Sequence, residues 1–179
     1  MILQQKYLEK FQSEKIFVDV YKDHFEESTY GFIINFNDEF ILLEQFTNIG
    51  EANGIGIIRR ENITRVRWEG NDISTTEKFA KKENRIPNVF NIKIDSIHEA
   101  LQSVQDKFGY VILNIQNIDT GMIIIGQIEE MDNETIIIHE FGTYTSLDRK
   151  RIMMNIDEIT KIEAGGDYEN NLKEIFTKI

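Results

Sequence analysis

GFIINFNDEFILLEQF, residues 31–46, is written a second time, ninety-five residues later, as GQIEEMDNETIIIHEF, residues 126–141. Gly31 answers to Gly126, Ile33 to Ile128, Glu39 to Glu134, Ile41 to Ile136 and Phe46 to Phe141. In the middle of each copy two small polar residues, Asn37-Asp38 or Asp132-Asn133, separate apolar runs rich in isoleucine. Turn residues flanked by β-branched runs predict a β-hairpin in both places. A second echo follows each hairpin. Ile63-Thr64-Arg65-Val66 is matched by Ile159-Thr160-Lys161-Ile162, and Gly70 by Gly166, at an offset of 96. Two islands at a nearly constant offset predict a duplicated module.

The chain has 179 residues, enough for one domain or two small ones of roughly 70–90 residues each. Its 41% hydrophobic content is that of a globular protein and argues against general disorder. No apolar run reaches the ~18–20 residues that span a bilayer, and residues 1–15 have no uninterrupted apolar core of the secretory kind. There are no cysteines, which excludes disulfides and thiolate metal sites and suits a reducing cytoplasm. A cytoplasmic protein without membrane contact is therefore expected. The net charge of −11 is unevenly shared. Residues 1–90 hold 12 Lys and Arg against 15 Asp and Glu, and residues 91–179 hold 8 against 16. Such a balance repels phosphate backbones unless a local basic patch overrides it.

Along the chain the same order of elements is read twice. Ile2, Tyr7, Leu8 and Phe11 fall at helical spacing, and Lys15–Tyr21 alternates like a half-buried strand. A polar loop over 22–28 precedes the first hairpin, and Ile55–Arg60 and Ile63–Trp68 supply two further strands. Asn71–Lys82 reads as a helix, and residues 84–91, with the only proline at Pro87, as a linker. Ser96 and Gly109 bound a second amphipathic helix. Strands are then expected over Tyr110–Asn114, Met122–Met131, Thr135–Phe141, Arg151–Ile156 and Ile159–Glu163, and a closing helix over Tyr168–Lys178. The predicted fold is mainly β (α+β): two tandem five-stranded antiparallel small barrels with flanking short helices. The modules are placed at residues 1–83 and 92–179.

A helix followed by five strands, with a glycine early in the second strand, resembles the Sm/LSm-like small barrel, an SH3-like architecture. In that family the glycine lets the sheet bend, and Gly31 and Gly126 stand in its position. YGFIINFNDEFILL is similar to the first family motif and IGIIRRENITRV to the second. The resemblance covers most of the chain and implies the fold. Its RNA site does not carry over residue by residue. Asn37-Asp38 and Asp132-Asn133 are of the right type at a different spacing, while Arg59-Arg60 and Met154-Asn155 replace the family's Arg-Gly. A fold likeness assigns no function.

Arg59, Arg60, Arg65 and Arg67 beside Trp68 form the strongest nucleic-acid candidate, since a basic strand face next to an aromatic can hold phosphate and stack a base. Alternation puts Arg65 and Arg67 on one face, opposite Val66 and Trp68, and the plainer reading is a solvated strand face paired with Glu61 and Glu69. Arg149-Lys150-Arg151 reads as a charged turn. Glu129, Glu130, Asp132 and Glu134 gather carboxylates without a calcium-loop spacing, and His24, His98 and His139 lack zinc spacing. Gly50, Gly54 and Gly56 open no helix, so no phosphate loop is read there, and Gly165-Gly166-Asp167 reads as a helix cap. No cofactor and no metal are expected.

Two functional readings follow. The first is a non-catalytic binding or scaffold protein, acting by protein–protein contact or self-association into an oligomer, with RNA on the arginine face as its variant. The recurring hairpin positions Gly31, Asp38, Glu39, Gly126, Asn133 and Glu134 then serve the fold. The second is an enzyme using Glu39 or Glu134 as acid or base, for which nucleophile and oxyanion donors are lacking in the sequence.

Overall fold

The duplicated hairpin is built alike in both places, and the reason is one side-chain oxygen. In the computed structural model, which describes residues 3–82 and 91–177, Asn37 Oδ1 accepts from the amides of Glu39 (2.8 Å) and Phe40 (2.7 Å). Asp132 Oδ1 accepts from the amides of Glu134 (2.9 Å) and Thr135 (2.8 Å). A short Asx side chain that reaches forward along its own backbone fixes a tight turn. Here it joins β2 (Glu27–Phe36) to β3 (Phe40–Phe46), and β7 (Ile123–Met131) to β8 (Thr135–Glu140). Both hairpins carry a register shift at the same place, between Ile33 and Asn35 and between Ile128 and Glu130. Such a bulge bends a strand and raises its twist.

The glycines do the second part of the bending. A Cβ on Gly31 would lie 2.1 Å from the Glu44 carbonyl oxygen, and one on Gly126 would lie 2.3 Å from that of His139. Only a residue without a side chain lets the neighbouring strand approach so closely.

The chain divides into two compact units, Met1–Phe90 and Asn91–Ile179. The first unit runs α1 (Leu3–Ser13), β1 (Phe17–Lys22), β2, β3, β4 (Ala52–Arg59), β5 (Arg65–Arg67) and α2 (Asn71–Lys82). The second runs α3 (Ile97–Phe108), β6 (Val111–Asn114), β7, β8, β9 (Arg151–Asn155), β10 (Lys161–Ala164) and α4 (Asp167–Thr177). Helix, five strands, helix is thus the order in both. The strands lie in the order β5-β1-β2-β3-β4 in the first unit and β10-β6-β7-β8-β9 in the second, all antiparallel. Among the described residues the fold is mainly β with four α-helices, as expected. Among the described residues no ladder joins the end strands within a unit, β5 to β4 or β9 to β10, so each is an open sheet and not a closed barrel.

The first sheet is covered on both faces. One face packs Val18, Val20, Ile33, Ile41 and Leu43 against Leu8 and Phe11 of α1. The other packs Phe17, Phe32 and Phe46 against Ile73 and Ala80 of α2. Two apolar layers explain why β3 is buried at all seven positions. They also correct the half-buried reading of the first strand, in which Phe17, Val18, Asp19 and Val20 are all buried. In the second unit α3 starts at Ser96, whose hydroxyl accepts from the Glu99 amide, and ends at Gly109 with φ of 77°. Both signals are those read in the sequence.

Several boundaries move. Three 3-10 turns, Asp23–Phe25, Arg60–Asn62 and Ile156–Glu158, stand where loop or strand was expected, and β5 shrinks to three residues. The loop expected over 22–28 is short, since β1 ends at Lys22 and β2 begins at Glu27. Ile2, most of the expected linker at 84–91 with Pro87, and Lys178 lie outside the described residues.

Candidate functional site

The arginine face is where the sequence pointed first, and the structure engages each of its cations. β5 pairs antiparallel with β1, Arg65 opposite Tyr21 and Arg67 opposite Asp19. The guanidiniums of Arg65 and Arg67 therefore lie on one face, 3.5 and 5.6 Å from the centroid of the Tyr21 ring. Arg65 makes a two-pronged contact to Asp23, Nε to Oδ2 at 2.9 Å and Nη2 to Oδ1 at 2.8 Å. The Thr64 hydroxyl donates to the same carboxylate. These hydrogen bonds, Arg65 first and Thr64 second, hold the Asp23 carboxyl down at about 2. Arg67 donates to the buried Asp19 (2.8 Å) and also to Asp72, and the bond to Asp19 pushes its own pKa up. At Asp72 desolvation acts upward, and the Ile73 amide and Arg67 together outweigh it, leaving the carboxyl below its ordinary value.

Arg59 and Arg60 are engaged too, by single contacts and partly by neutral acceptors. Arg59 pairs with Glu39 at 3.0 Å and lies 5.5 Å from the Phe40 ring centroid. Arg60 donates to the Asn37 carbonyl (2.6 Å) and to Gln4 Oε1 (2.7 Å), with Asp38 3.7 Å away. A guanidinium already forked onto a carboxylate offers little to a phosphate. Trp68 lies elsewhere: it turns to the other face, 5.4 Å from Tyr7 and 5.1 Å from Phe11 between ring centroids. The alternation read in the sequence, with Trp68 opposite Arg65 and Arg67, therefore holds, and it keeps the aromatic away from those cations.

The remaining candidates resolve into structural pairs. Glu39 is the partner of Arg59, and Glu134 gives its amide to the Asp132 turn. Arg151 forks onto Glu129 at 2.7 and 2.9 Å, which lowers the Glu129 pKa, and His139 Nδ1 lies 3.5 Å from the same carboxylate. Hydrogen bonds from the amides of Glu134 and Thr135 lower Asp132. Arg149 lies over Phe176, and Lys150 is 3.4 Å from Asp148. His98 Nε2 meets the Asp132 carbonyl at 2.8 Å, and His24 sits in the 3-10 turn after β1. Glu130 and Asn133 are exposed. Gly50 is a turn glycine with φ of 82°, whereas Gly54, with φ of 73°, and Gly56 lie within β4. Gly165 donates its amide to the Tyr110 hydroxyl (2.9 Å), and Asp167 opens α4, so these residues tie a helix start to the core. No group of three or more His, Asp or Glu side chains among the described residues is placed to hold a metal ion.

Sequence reasoning missed two things. One is the set of anions, Asp19, Asp23 and Asp72, that neutralise the arginines; only the β1–β5 pairing brings the first two within reach. The other is a groove between α1 and the stretch 63–68, about 430 Å³ in volume, with mostly apolar walls. Trp68 next to a strand edge was its one visible signal. Among the described residues no helix is long and apolar enough to cross a membrane. No family model, no curated protein and no solved structure matches this chain.

Proposed function

We propose that the chain is a non-catalytic scaffold of two tandem modules of Sm-like element order, each an open five-stranded sheet, arisen by duplication, that works by protein–protein contact and first of all by self-association. The observation that carries it is the pair of open strand ends. β5 is hydrogen-bonded only to β1 and β9 only to β8 among the described residues, and Met153 in the middle of β9 is 74% exposed. Open edges of this kind are templates for pairing with another chain. Pairing of two unlike edges between copies is a head-to-tail contact, which closes into a ring or runs on as a filament.

The engagement of Arg59, Arg60, Arg65 and Arg67 supports a protein partner over RNA, as does the acidic balance of the chain. Glu39 and Glu134 serve a pair and a turn, which supports a binding role over an acid–base one. The cysteine-free composition supports a cytoplasmic setting. Sedimentation velocity of the wild type and of Met153→Glu tests the reading. The wild type is expected to sediment as an oligomer and the variant as a 21.0 kDa monomer with unchanged circular dichroism. Identical sedimentation of the two would overturn it.

A further inference from the structure

The groove beside α1 is lined by large apolar and aromatic side chains. Its walls are Leu3, Tyr7 and Phe11 from the helix and Ile63, Val66 and Trp68 from the strand side. Leu3 is 68% exposed and Trp68 is 37% exposed. The polar groups that reach the groove are already used. Gln4 accepts from Arg60, Thr64 donates to Asp23, and Arg65 is forked onto Asp23. At the matching places in the second unit stand Ala100, next to the buried Leu101 of α3, and Ala164, two residues beyond Ile162 of β10. Both alanines are buried. The fold itself is therefore satisfied without large exposed aromatics here.

Charge at the rim decides what fits. Lys6 and Lys10 are one turn apart on α1, three positions after Leu3 and Tyr7 respectively, and so flank these groove residues. Both are exposed, and among the described residues neither takes part in an ion pair. Gln5 and Glu9, on another side of the helix, bond to each other. We propose that this groove docks a short segment of a partner protein that combines large apolar side chains with Asp or Glu. The apolar groups fill the space between Tyr7, Val66 and Trp68, and the carboxylates meet Lys6 and Lys10. A groove of this volume takes one or two anchoring side chains and is of the size and apolar character of ordinary ligand sites. The inference rests on the scaffold reading but does not require self-association.

The test uses the full chain and two fluorescein-labelled twelve-residue probe peptides. Both carry Leu at i, i+3, i+4 and i+7; one has Glu at the other positions and its control has Lys. Anisotropy gives the affinity. The emission of Trp68, the only tryptophan in the chain, reports occupancy of the groove when unlabelled peptide is added. The Glu peptide is expected to bind and to shift the Trp68 emission to shorter wavelength. Lys6→Glu with Lys10→Glu is expected to weaken it about tenfold, as loss and reversal of two surface pairs would. Leu3→Glu removes a groove wall at an exposed position and is expected to abolish the Trp68 shift with the fold intact by circular dichroism. Equal or tighter binding of the Lys peptide, binding without a change in Trp68, or no binding of either peptide overturns the proposal. The self-association reading fails or stands separately, on the mass of the unliganded chain.

Discussion

One methyl group at Gly31 tests the geometry on which both units rest. A Cβ there would sit 2.1 Å from the Glu44 carbonyl oxygen, where an ordinary C···O contact is about 3.3–3.6 Å. The obstacle is backbone, so no rotamer change relieves it. β2 and β3 must part by roughly an ångström at the rungs Gly31↔Gln45 and Phe32↔Glu44. Overpacking of this kind costs about 1–3 kcal/mol, and weakening one or two ladder hydrogen bonds adds about 1 kcal/mol each. Gly31→Ala is therefore expected to destabilise the first unit by about 3 kcal/mol, which for a unit of residues 1–90 lowers its melting temperature by about 12–24 °C. Gly126→Ala, 2.3 Å from the His139 oxygen, is expected to act alike on the second unit. Gly121→Ala is the control, because its Cβ would meet nothing nearer than 3.5 Å. Urea and thermal unfolding followed by circular dichroism measure all three. A Gly31→Ala protein within about 0.5 kcal/mol of wild type, the range of neutral surface changes, would refute the close approach of the two strands.

Two pH predictions follow from the carboxylates. Asp23 has its pKa lowered from 3.8 to about 2, so its pairing with Arg65 contributes fully above the unfolded value and is lost as pH falls through about 2. A carboxyl ¹³C titration with a midpoint near 3.8 would contradict that pairing. Glu169 is raised by burial, with Glu163 and Asp167 adding to it. Its ionised form opposes folding, so stability falls as pH rises from the unfolded value of 4.5 through the higher folded one. Glu169→Gln is therefore expected to raise the melting temperature at pH 7 and to leave it unchanged at pH 3; an equal gain at both pH values would count against it.

What could be read in the sequence was whatever is local. The Asx turns at Asn37 and Asp132, the helix start at Ser96 and the stop at Gly109 each depend on residues within four positions. The residues that recur at an offset of 95 or 96 then carried the element order across both units. Pairings between distant residues could not be read. The sequence offered Glu61 and Glu69 as the partners of the arginines, because Asp19, the partner Arg67 takes, lies 48 residues away. Asp19 itself looked like the polar side of a half-exposed strand, because nothing in FVDVYK announces that α2 covers that face. Strand alternation already set Trp68 on the face opposite Arg65 and Arg67, but that α1 packs on that face could not be read. The groove was invisible for the same reason: it needs Leu3 and Val66 in one place.

The scaffold reading stands or falls on the assembled mass of the native chain. Size-exclusion chromatography with light scattering, at low and high salt and with absorbance read at 260 and 280 nm, measures it directly. The expected result is a multiple of 21.0 kDa, unchanged by salt, with a protein-like absorbance ratio. A 21.0 kDa monomer in both salts, or a 260 nm excess that high salt removes, would contradict it.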